Sequence, residues 1–345
     1  MSANVAAVLT AHGGNECVRI GACETPVRRP GDVLVRMTAS GLNRVDLYMR
    51  NSGAGITHKL PMVLGLDGAG IVEECDANST LSPGARVVIH PALTCGECEF
   101  CQSGDEILCT SMRYLGEHVD GTMRRWLTAP AQNVFPAPAG LSDVEAAALG
   151  VAWLTAWRML TTKARVRSGE TVLIFGIGGS VSLAALQIAS ALGARVIATS
   201  RSAEKLARAQ SICPCDAICS GDGDVAKRAL ELTGGRGVDV VIENVGEAVW
   251  ASALKSLVRG GRLVTCGATT GDNPGADLRR VFIRQLQIFG STLGTRAEFQ
   301  GLLAFVEAKG LKPHIDSAYP LENLHAALDH LESGEQFGKI GISIP

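Results

Sequence analysis

The chain has 345 residues, of which 46% are apolar and 19% charged, and its formal net charge is −2. A chain of this length exceeds what one hydrophobic core usually fills, so two domains are expected. The nearly balanced charge gives no electrostatic reason to expect nucleic acid or an anionic membrane as a partner, which leaves a small molecule as the expected one.

The first residues, MSANVAAVLTAHGG, lack the basic region and apolar core of a signal peptide, and no apolar run approaches the ~18 residues that span a bilayer. A cytoplasmic protein is therefore expected. The chain contains 11 cysteines. In a long sequence without a signal, these favour reduced thiols and a metal over disulfides.

Short β-branched or apolar runs separated by Gly and Pro fill the first part of the chain. They include DVLVRMTASG, AGIVEEC, ARVVIHPAL and WLTAPAQNVF. Short strands between frequent turn signals predict a mainly antiparallel barrel or sandwich over residues 1–150. Mixed short elements return near the end of the chain, so residues 293–345 are expected to rejoin this domain.

Four cysteines lie in one loop, CGECEFCQSGDEILC, inside a lobe of about residues 92–112. Cys95, Cys98, Cys101 and Cys109 are separated by two, two and seven residues. Four thiolates without a histidine suit a closed tetrahedral zinc with a structural role, because no coordination position is left for substrate. An iron–sulfur cluster and four unliganded thiols are the alternatives.

Residues 151–292 alternate between strand-like and helix-like segments. ETVLIFG, ARVIATS, GVDVVIENVG and GRLVTCGA read as buried strands, and SAEKLARAQ and AVWASALKSLV as helices. After the first strand, apolar residues recur at steps of three and four, which marks one face of a helix. The alternation predicts a parallel, doubly wound (Rossmann) sheet, and hence an α/β protein with a second, β-rich domain.

A glycine-rich loop follows the first of these strands, in FGIGGSVSLAALQIA. Gly176, Gly178 and Gly179 permit a tight turn and the close approach of a pyrophosphate, and Ser180 opens the helix. Val181 occupies the position of the third glycine of the usual motif. An ordinary strand-to-helix turn is the alternative, but the flanking strand–helix units favour dinucleotide binding.

The end of the second strand, in ATSRSAEK, indicates which dinucleotide is bound. NAD-selective sites usually carry an acidic residue there, whereas this chain has Ser200 followed by Arg201 and Lys205. A carboxylate would repel a 2′-phosphate, and an arginine would attract it. We therefore expect NADP(H) to be preferred over NAD(H), with a solvated Arg201 as the alternative.

These motifs, in this order, resemble the medium-chain dehydrogenase/reductase superfamily over essentially the whole chain. The resemblance implies a GroES-like catalytic domain carrying the structural zinc lobe, and a Rossmann cofactor domain. The run NRVDLYMR is similar to the N-x-x-D-x-Y-x-R pattern of the zinc-independent quinone oxidoreductase and enoyl reductase branch. VAWLTAWRML resembles its L-T-A helix start, and places Thr155 among the cofactor-binding residues.

The same resemblance indicates that the catalytic zinc is absent. Zinc alcohol dehydrogenases hold that metal at positions that here read Asn43, Leu66 and Val151. Neutral asparagine is a poor zinc ligand, and leucine and valine have no lone pair. Val45 stands where those enzymes carry the hydroxyl that begins the proton relay.

Without a Lewis acid, conjugated acceptors are the easier substrates, because the charge of the incoming hydride is delocalised onto a distant oxygen. Tyr48 is the candidate proton or hydrogen-bond donor, with an inert wall residue as its alternative. Asn43 is the candidate for orienting the acceptor carbonyl or the ribose, with a helix N-cap as its alternative. Asp46 is expected to order the loop by pairing with Arg50.

Leu66, Trp153 and Leu293 are the candidate apolar pocket residues, with plain core packing as the alternative for Trp153. The sequence therefore predicts an NADPH-dependent reductase of quinones, enones, enals or enoyl thioesters. A zinc-independent aldehyde reductase or alcohol dehydrogenase and a non-catalytic NADPH-binding protein are the alternatives.

The segment LQIFGSTLG would form a self-pairing sheet edge, so a homodimer is expected, with a tetramer as the larger option.

Overall fold

The computed structural model describes residues 4–221 and 223–345. It divides into two compact units. The first unit comprises Met1–Ala152 with Gly294–Pro345, and the second comprises Trp153–Leu293. Within the described ranges, no helix is both long and apolar enough to cross a membrane.

The strands are numbered along the chain. The first ten are β1 (Asn4–Leu9), β2 (Val18–Cys23), β3 (Asp32–Gly41), β4 (Met62–Val63), β5 (Asp67–Glu74), β6 (Arg86–Ile89), β7 (Ala92–Leu93), β8 (Arg113–Tyr114), β9 (Trp126–Pro130) and β10 (Val134–Pro136). The others are β11 (Thr171–Ile174), β12 (Arg195–Ser200), β13 (Asp216–Cys219), β14 (Val238–Glu243), β15 (Leu257–Thr265), β16 (Gln287–Gly290), β17 (Ile315–Pro320) and β18 (Lys339–Ser343).

The helices are numbered in the same way. They are α1 (Arg44–Ser52), α2 (Glu99–Gln102), α3 (Asp143–Ala147), α4 (Leu154–Arg158), α5 (Ser180–Ala191), α6 (Ala203–Ile212), α7 (Val225–Leu232), α8 (Glu247–Ser256), α9 (Leu278–Arg284), α10 (Arg296–Lys309) and α11 (Leu324–Ser333). Two π-helical segments span Leu149–Trp153 and Met159–Lys163. Short 3-10 turns cover Asn15–Cys17, Gly53–Gly55, Glu106–Leu108, Ala131–Asn133 and Leu321–Asn323.

The first unit is built around strand β3. In its largest sheet the strand order is β10-β6-β5-β3-β18-β17, and β9 also pairs with β3. β3 runs antiparallel to β5, β9 and β18, as predicted for this part of the chain. Because β18 pairs directly with β3, the last strand of the chain completes the sheet that the early strands begin. A three-stranded sheet, β2-β1-β4, and the β7-β8 pair complete the unit.

The second unit contains a six-stranded sheet of order β13-β12-β11-β14-β15-β16. Every pairing in it is parallel. β11 and β14 are buried along their whole length, which is typical of central parallel strands covered on both faces. The order reverses between β11 and β14, and doubly wound sheets bind ligands outside the carboxyl ends of the strands at such a point.

Candidate functional site

The four cysteines of the lobe converge as their spacing predicts. Among the described residues, Cys95, Cys98, Cys101 and Cys109 are the one group of three or more potential ligands whose ligand atoms all lie within 4.8 Å of one another. The Cys95 Sγ atom lies 3.5 Å from Cys109 Sγ and 3.9 Å from Cys101 Sγ. Four sulfurs around a tetrahedral zinc at ~2.3 Å are separated by about 3.8 Å, so the cluster fits a structural zinc.

Backbone amides lower the pKa of the Cys95 and Cys98 thiols, whereas burial raises the pKa of the Cys101 thiol to about 12. Hydrogen bonds from the backbone N–H groups of Cys101 and Thr110 lower the pKa of the Cys98 thiol to about 6. The lobe is anchored within the first unit by Glu106, whose Oε1 accepts from the backbone N–H of Arg296 at 2.8 Å. The Arg296 guanidinium also donates to Thr94 Oγ1 at 3.2 Å.

A buried lysine forms a charged cluster that sequence reasoning missed. The Lys339 ammonium donates to Asp67 Oδ2 at 2.5 Å, to Asn43 Oδ1 at 2.7 Å and to the Leu42 carbonyl at 3.2 Å. The Lys339 side chain is 2% exposed, and that of Asp67 is fully buried. All three N–H groups of the ammonium are therefore engaged inside the protein.

The strand register explains how this ion pair forms. Asp67 opens β5 and Lys339 opens β18, and β3 lies between these two strands. The residue of β3 that separates the two side chains is Gly41. A Cβ atom there would lie 2.9 Å from Asp67 Oδ2 and 3.2 Å from Lys339 Cδ. Glycine thus leaves the space in which the two side chains meet across the strand.

Asn43 is held firmly by the same cluster. Its Nδ2 donates to Asp67 Oδ2 at 3.0 Å, and its Oδ1 accepts from Lys339. Its backbone N–H donates to Asp46 Oδ2 at 2.7 Å, so Asn43 also marks the start of α1. Both polar atoms of the Asn43 side chain are therefore committed to the cluster, and its place at the N-cap of α1 agrees with the helix-cap interpretation. A contact of Asn43 with an acceptor carbonyl or a ribose stays a prediction.

The predicted pairing of Asp46 with Arg50 is wrong. Arg50 instead donates to Glu332 Oε2 at 2.8 Å and to Asn15 Oδ1 at 2.6 Å. Asp46 is fully buried, and its Oδ1 has no hydrogen-bond partner. The helical spacing of Asp46 and Arg50 permitted a pair, but stronger partners from distant parts of the chain attract the guanidinium.

Burial raises the pKa of Asp46 to about 7, and the nearby charge of Asp67 adds to this effect. The folded state therefore binds a proton that the unfolded state releases near pH 4. The free energy of unfolding should fall as pH rises from about 4 to about 7, by at most about 1.4 kcal/mol per pH unit.

We expect Asp46→Asn to lack this pH-dependent contribution. Asparagine mimics the protonated acid and still accepts from the Asn43 backbone N–H. The stability of the variant relative to the native chain should therefore be higher at pH 8 than at pH 5, as measured by urea unfolding at both values. Asp272→Asn makes the same chemical change on the surface and should show no such pH dependence. If the free energy of unfolding of the native chain and of Asp46→Asn changed with pH in the same way, the raised pKa of Asp46 would be contradicted.

The other candidates on the first unit differ in accessibility. The Tyr48 side chain lies on α1 and is 42% exposed, whereas Leu66 is buried. Val45 packs against the apolar core beneath α1. Two predicted pocket residues, Trp153 and Leu293, are the first and last residues of the second unit and are both buried there. Their grouping with Leu66 stays a prediction.

The second unit brings the cofactor candidates together at the ends of β11 and β12. Gly176 and Gly178 have φ angles of 68° and 116°, a region that favours glycine. A Cβ atom at Gly176 would lie 2.9 Å from the Val245 side chain. Gly179 precedes α5, which Ser180 and Val181 begin. The Ile177 N–H donates to the Thr199 carbonyl at 2.8 Å, which places this loop beside the end of β12.

At the end of β12, Ser200 is largely buried and its Oγ accepts from the Ser202 N–H at 3.1 Å. Arg201 is exposed, and Lys205 lies in the first turn of α6. The structure thus places Ser200 at the end of the strand next to the glycine loop, Arg201 directly after it and Lys205 at the start of the following helix. Thr155 is buried in α4.

Comparison with known proteins agrees with this architecture. Residues 29–139 match the family model of the alcohol dehydrogenase GroES-like domain, and residues 180–308 match that of the zinc-binding dehydrogenases. An alcohol dehydrogenase of Geobacillus stearothermophilus is 34% identical over 324 residues, which cover 93% of this chain and 94% of that protein.

Solved structures are similar over nearly the whole chain. A structure of an NAD-dependent alcohol dehydrogenase has a TM-score of 0.94 at 37% identity, covering 99% of this chain and 100% of that one. A crotonyl-CoA carboxylase/reductase has a TM-score of 0.91 at 25% identity, covering 99% and 88%. The predicted GroES-like and Rossmann folds are confirmed. The chain is an NAD(P)-dependent oxidoreductase and belongs to the medium-chain dehydrogenase/reductase superfamily.

Proposed function

We propose that the protein transfers hydride from NADPH to a small conjugated acceptor, a quinone, an enone or enal, or an enoyl thioester, without a catalytic zinc. The observation that carries this proposal is the contact between the Lys339 ammonium and Asn43. The family resemblance assigns Asn43 and Leu66 to two of the ligand positions of the catalytic zinc. Leu66 has no lone pair, and the oxygen of Asn43 already accepts from a buried cation.

A zinc ion beside this cluster would be opposed by the ammonium. Lys339 balances the charge of Asp67 by donating to its Oδ2, while Asp67 Oδ1 has no hydrogen-bond partner. A zinc ion bound by Asn43 Oδ1 would have to displace the Lys339 ammonium from that oxygen. The cluster therefore supports an enzyme whose acceptor stabilises the incoming negative charge by its own conjugation.

The proposed reaction depends on the acceptor, and not a metal, stabilising the negative charge. When bound, NADPH would supply the hydride, which the distal carbon of the conjugated system accepts. With an enone, enal or enoyl thioester, the electron pair of the double bond moves to the carbonyl oxygen and gives an enolate, and a proton from solvent then adds beside the carbonyl to give the saturated product. A quinone that takes the same hydride and proton becomes a hydroquinone. Tyr48 is the accessible donor on α1. We assign it the hydrogen bond to the carbonyl oxygen, and we assign Asn43 the role of a positioning residue at the start of α1.

Replacing Tyr48 by phenylalanine tests this role. General-acid assistance contributes about 10²- to 10⁴-fold to rate, so Tyr48→Phe should lower kcat/KM for an enone by at least the lower figure. Tyr319→Phe is the matched control, because the Tyr319 hydroxyl in β17 lies 3.2 Å from His330 Nδ1 in α11 and does not contact the cluster. If Tyr48→Phe and Tyr319→Phe had equal kcat/KM for the enone, Tyr48 would have no role in the reaction.

A substrate panel tests the reaction class itself. We expect turnover of 2-cyclohexenone, a benzoquinone or an enoyl thioester, and little turnover of cyclohexanone, in protein whose zinc content equals one ion per chain. The resemblance to a crotonyl-CoA carboxylase/reductase supports the enoyl acceptor. The alcohol dehydrogenase names of the other relatives favour the second candidate, a zinc-independent carbonyl reductase. Preference for cyclohexanone would select that candidate, and cofactor binding without any turnover would indicate a non-catalytic protein.

Preference for NADP(H) is part of the proposal, although a similar structure is named as NAD-dependent. It rests on Ser200 at the end of β12 and on the exposed Arg201 beside it. We expect Ser200→Asp to lower kcat/KM for NADPH at least tenfold relative to NADH, because the new carboxylate repels the 2′-phosphate and accepts from the ribose hydroxyls. Ser202→Asp, which adds the same carboxylate two residues further on, is the control and should change the ratio of kcat/KM for NADPH and NADH less. A native enzyme that favours NADH would contradict the assignment.

We also propose that the chain is a homodimer. β16 lies at the edge of the parallel sheet, as LQIFGSTLG predicts, and Ile288 on it is exposed. The neighbouring helix α9 exposes Leu278, Phe282 and Ile283. An edge strand has unpaired backbone N–H and C=O groups, and an exposed apolar helix face favours burial, so both can form an interface with a second copy of the chain. Ile288→Lys should convert the dimer to a monomer in light scattering at micromolar concentration, and a native chain that is already monomeric would contradict the proposal.

A further inference from the structure

Two histidines lie close together on the surface of the first unit. Both are remote in sequence from the four-cysteine lobe. His12 lies in the turn after β1, and His58 lies in the loop before β4. Their Nε2 atoms are 3.2 Å apart, and the ring centroids are 5.1 Å apart with an interplanar angle of 81°. His12 is exposed to solvent, and His58 is partly exposed.

The other ring nitrogens determine the tautomers. Nδ1 of His12 lies 2.9 Å from the Met49 carbonyl oxygen, and Nδ1 of His58 lies 2.7 Å from the Ile56 carbonyl oxygen. A carbonyl oxygen only accepts, so each Nδ1 must carry the hydrogen. In the neutral imidazoles, each Nε2 then has a lone pair and no hydrogen. Two lone pairs facing each other at 3.2 Å repel unless a proton or a metal cation lies between them.

The local backbone is shaped for this convergence. The Gly13 N–H donates to the Arg50 carbonyl at 2.9 Å, which fixes the turn carrying His12 against the end of α1. Gly53 ends that helix with a φ of 71°. A Cβ atom on Gly53 would lie 2.6 Å from His58 Cε1 and 3.0 Å from His12 Nε2. Only glycine leaves room for both rings.

We propose that His12 and His58 bind a divalent first-row transition metal, such as Zn²⁺, Ni²⁺ or Cu²⁺, at a site separate from the cysteine lobe. Imidazole nitrogens bind zinc at 2.0–2.1 Å, which separates two nitrogens on a tetrahedral ion by about 3.3 Å. The observed 3.2 Å matches this value. Each Nδ1–H donates to a backbone carbonyl, the arrangement that orients metal-binding histidines. Water completes the coordination on the exposed side.

The chemistry of the pair selects the class of ion. Neutral imidazole suits Zn²⁺, Ni²⁺ and Cu²⁺, whereas Mg²⁺ and Ca²⁺ prefer oxygen ligands. The Met49 carbonyl that orients His12 belongs to the last turn of α1, where the helix dipole favours positive charge. The predicted ligand is therefore a borderline metal cation, and not a hard one.

Equilibrium dialysis against Zn²⁺ tests the site in protein that already holds its structural zinc. We expect the native chain to bind one further zinc ion. His12→Asn and His58→Asn remove Nε2 but keep an N–H donor near the position of Nδ1, so the fold is maintained. Loss of an outer partner of a metal-binding histidine already weakens binding by roughly tenfold to 100-fold, and loss of the ligand itself should cost at least as much.

His118→Asn is the matched control. The Nδ1 atom of His118 accepts from the Tyr114 N–H at 3.1 Å, so the neutral ring carries its hydrogen on Nε2 and offers no lone pair there. This variant should bind the second ion as the native chain does. Gly53→Ala keeps both imidazoles but forces the rings apart, and it should also weaken binding. Absence of the second ion, or its retention in both His12→Asn and His58→Asn, would overturn the proposal.

Discussion

Cys109→Ala is expected to abolish zinc binding by the lobe and to unfold the segment around it. Cys109 is the buried member of the cluster, and its Sγ accepts from the Cys95 backbone N–H. The lobe has little regular secondary structure of its own, since α2 is a single turn of four residues. Structural zinc contributes about 10–16 kcal/mol to isolated metal-binding peptides, so losing it should remove most of the order of this segment.

Zinc content and limited proteolysis measure this effect. The native chain should contain one zinc ion in the lobe and resist cleavage over residues 92–112, whereas Cys109→Ala should lose that ion and be cut there. Cys17→Ser, a substitution outside the cluster, should retain the zinc and the resistance. An iron–sulfur chromophore in the native protein, or unchanged zinc in Cys109→Ala, would show that the cluster is not a structural zinc site.

Lys339→Met is expected to destabilise the protein by about 3–5 kcal/mol, because it leaves the buried carboxylate of Asp67 without its partner. The substitution also removes the donor to Asn43 Oδ1 and to the Leu42 carbonyl. Methionine fills much of the same volume, so the loss should come from charge and hydrogen bonding and not from a cavity. Urea unfolding followed by circular dichroism measures the difference.

A double variant separates the ion pair from the packing. Asp67→Asn neutralises the orphaned charge, so Lys339→Met combined with Asp67→Asn should be more stable than Lys339→Met alone. Lys309→Met, at the exposed end of α10, should change stability by less than about 0.5 kcal/mol. If the effects of Lys339→Met and Asp67→Asn simply add, the two side chains are not coupled and the proposed cluster is wrong.

The sequence predicted those features that depend on residues close together in the chain. Cysteine spacing located the lobe, and apolar spacing after the glycine loop located α5. Alternation of strands and helices predicted the parallel sheet, because each unit of the alternation is a local pattern. The strand order and the pairing of β18 with β3 needed the structure, since that pairing brings together residues at least 300 positions apart, such as Gly41 and Gly341.

The charged cluster was missed for the same reason. Asp67 and Lys339 are 272 positions apart, and they meet because of the register of β5, β3 and β18. One local sign was available, a lysine that opens an apolar strand near the chain end. For Asp46 and Arg50 the error was a false pair and not a missed one, because their helical spacing suggested an ion pair that does not form. The actual partner of Arg50, Glu332, lies 282 positions away.

The central claim is that this oxidoreductase delivers hydride to a conjugated carbon–carbon double bond without a catalytic zinc. The most direct measurement is NADPH oxidation with cinnamaldehyde, with the product identified by chromatography against both authentic reduction products. We expect the saturated aldehyde, 3-phenylpropanal, because in the proposed zinc-free reaction the conjugated system itself delocalises the charge of the added hydride. Cinnamyl alcohol as the product would show carbonyl reduction and contradict the account.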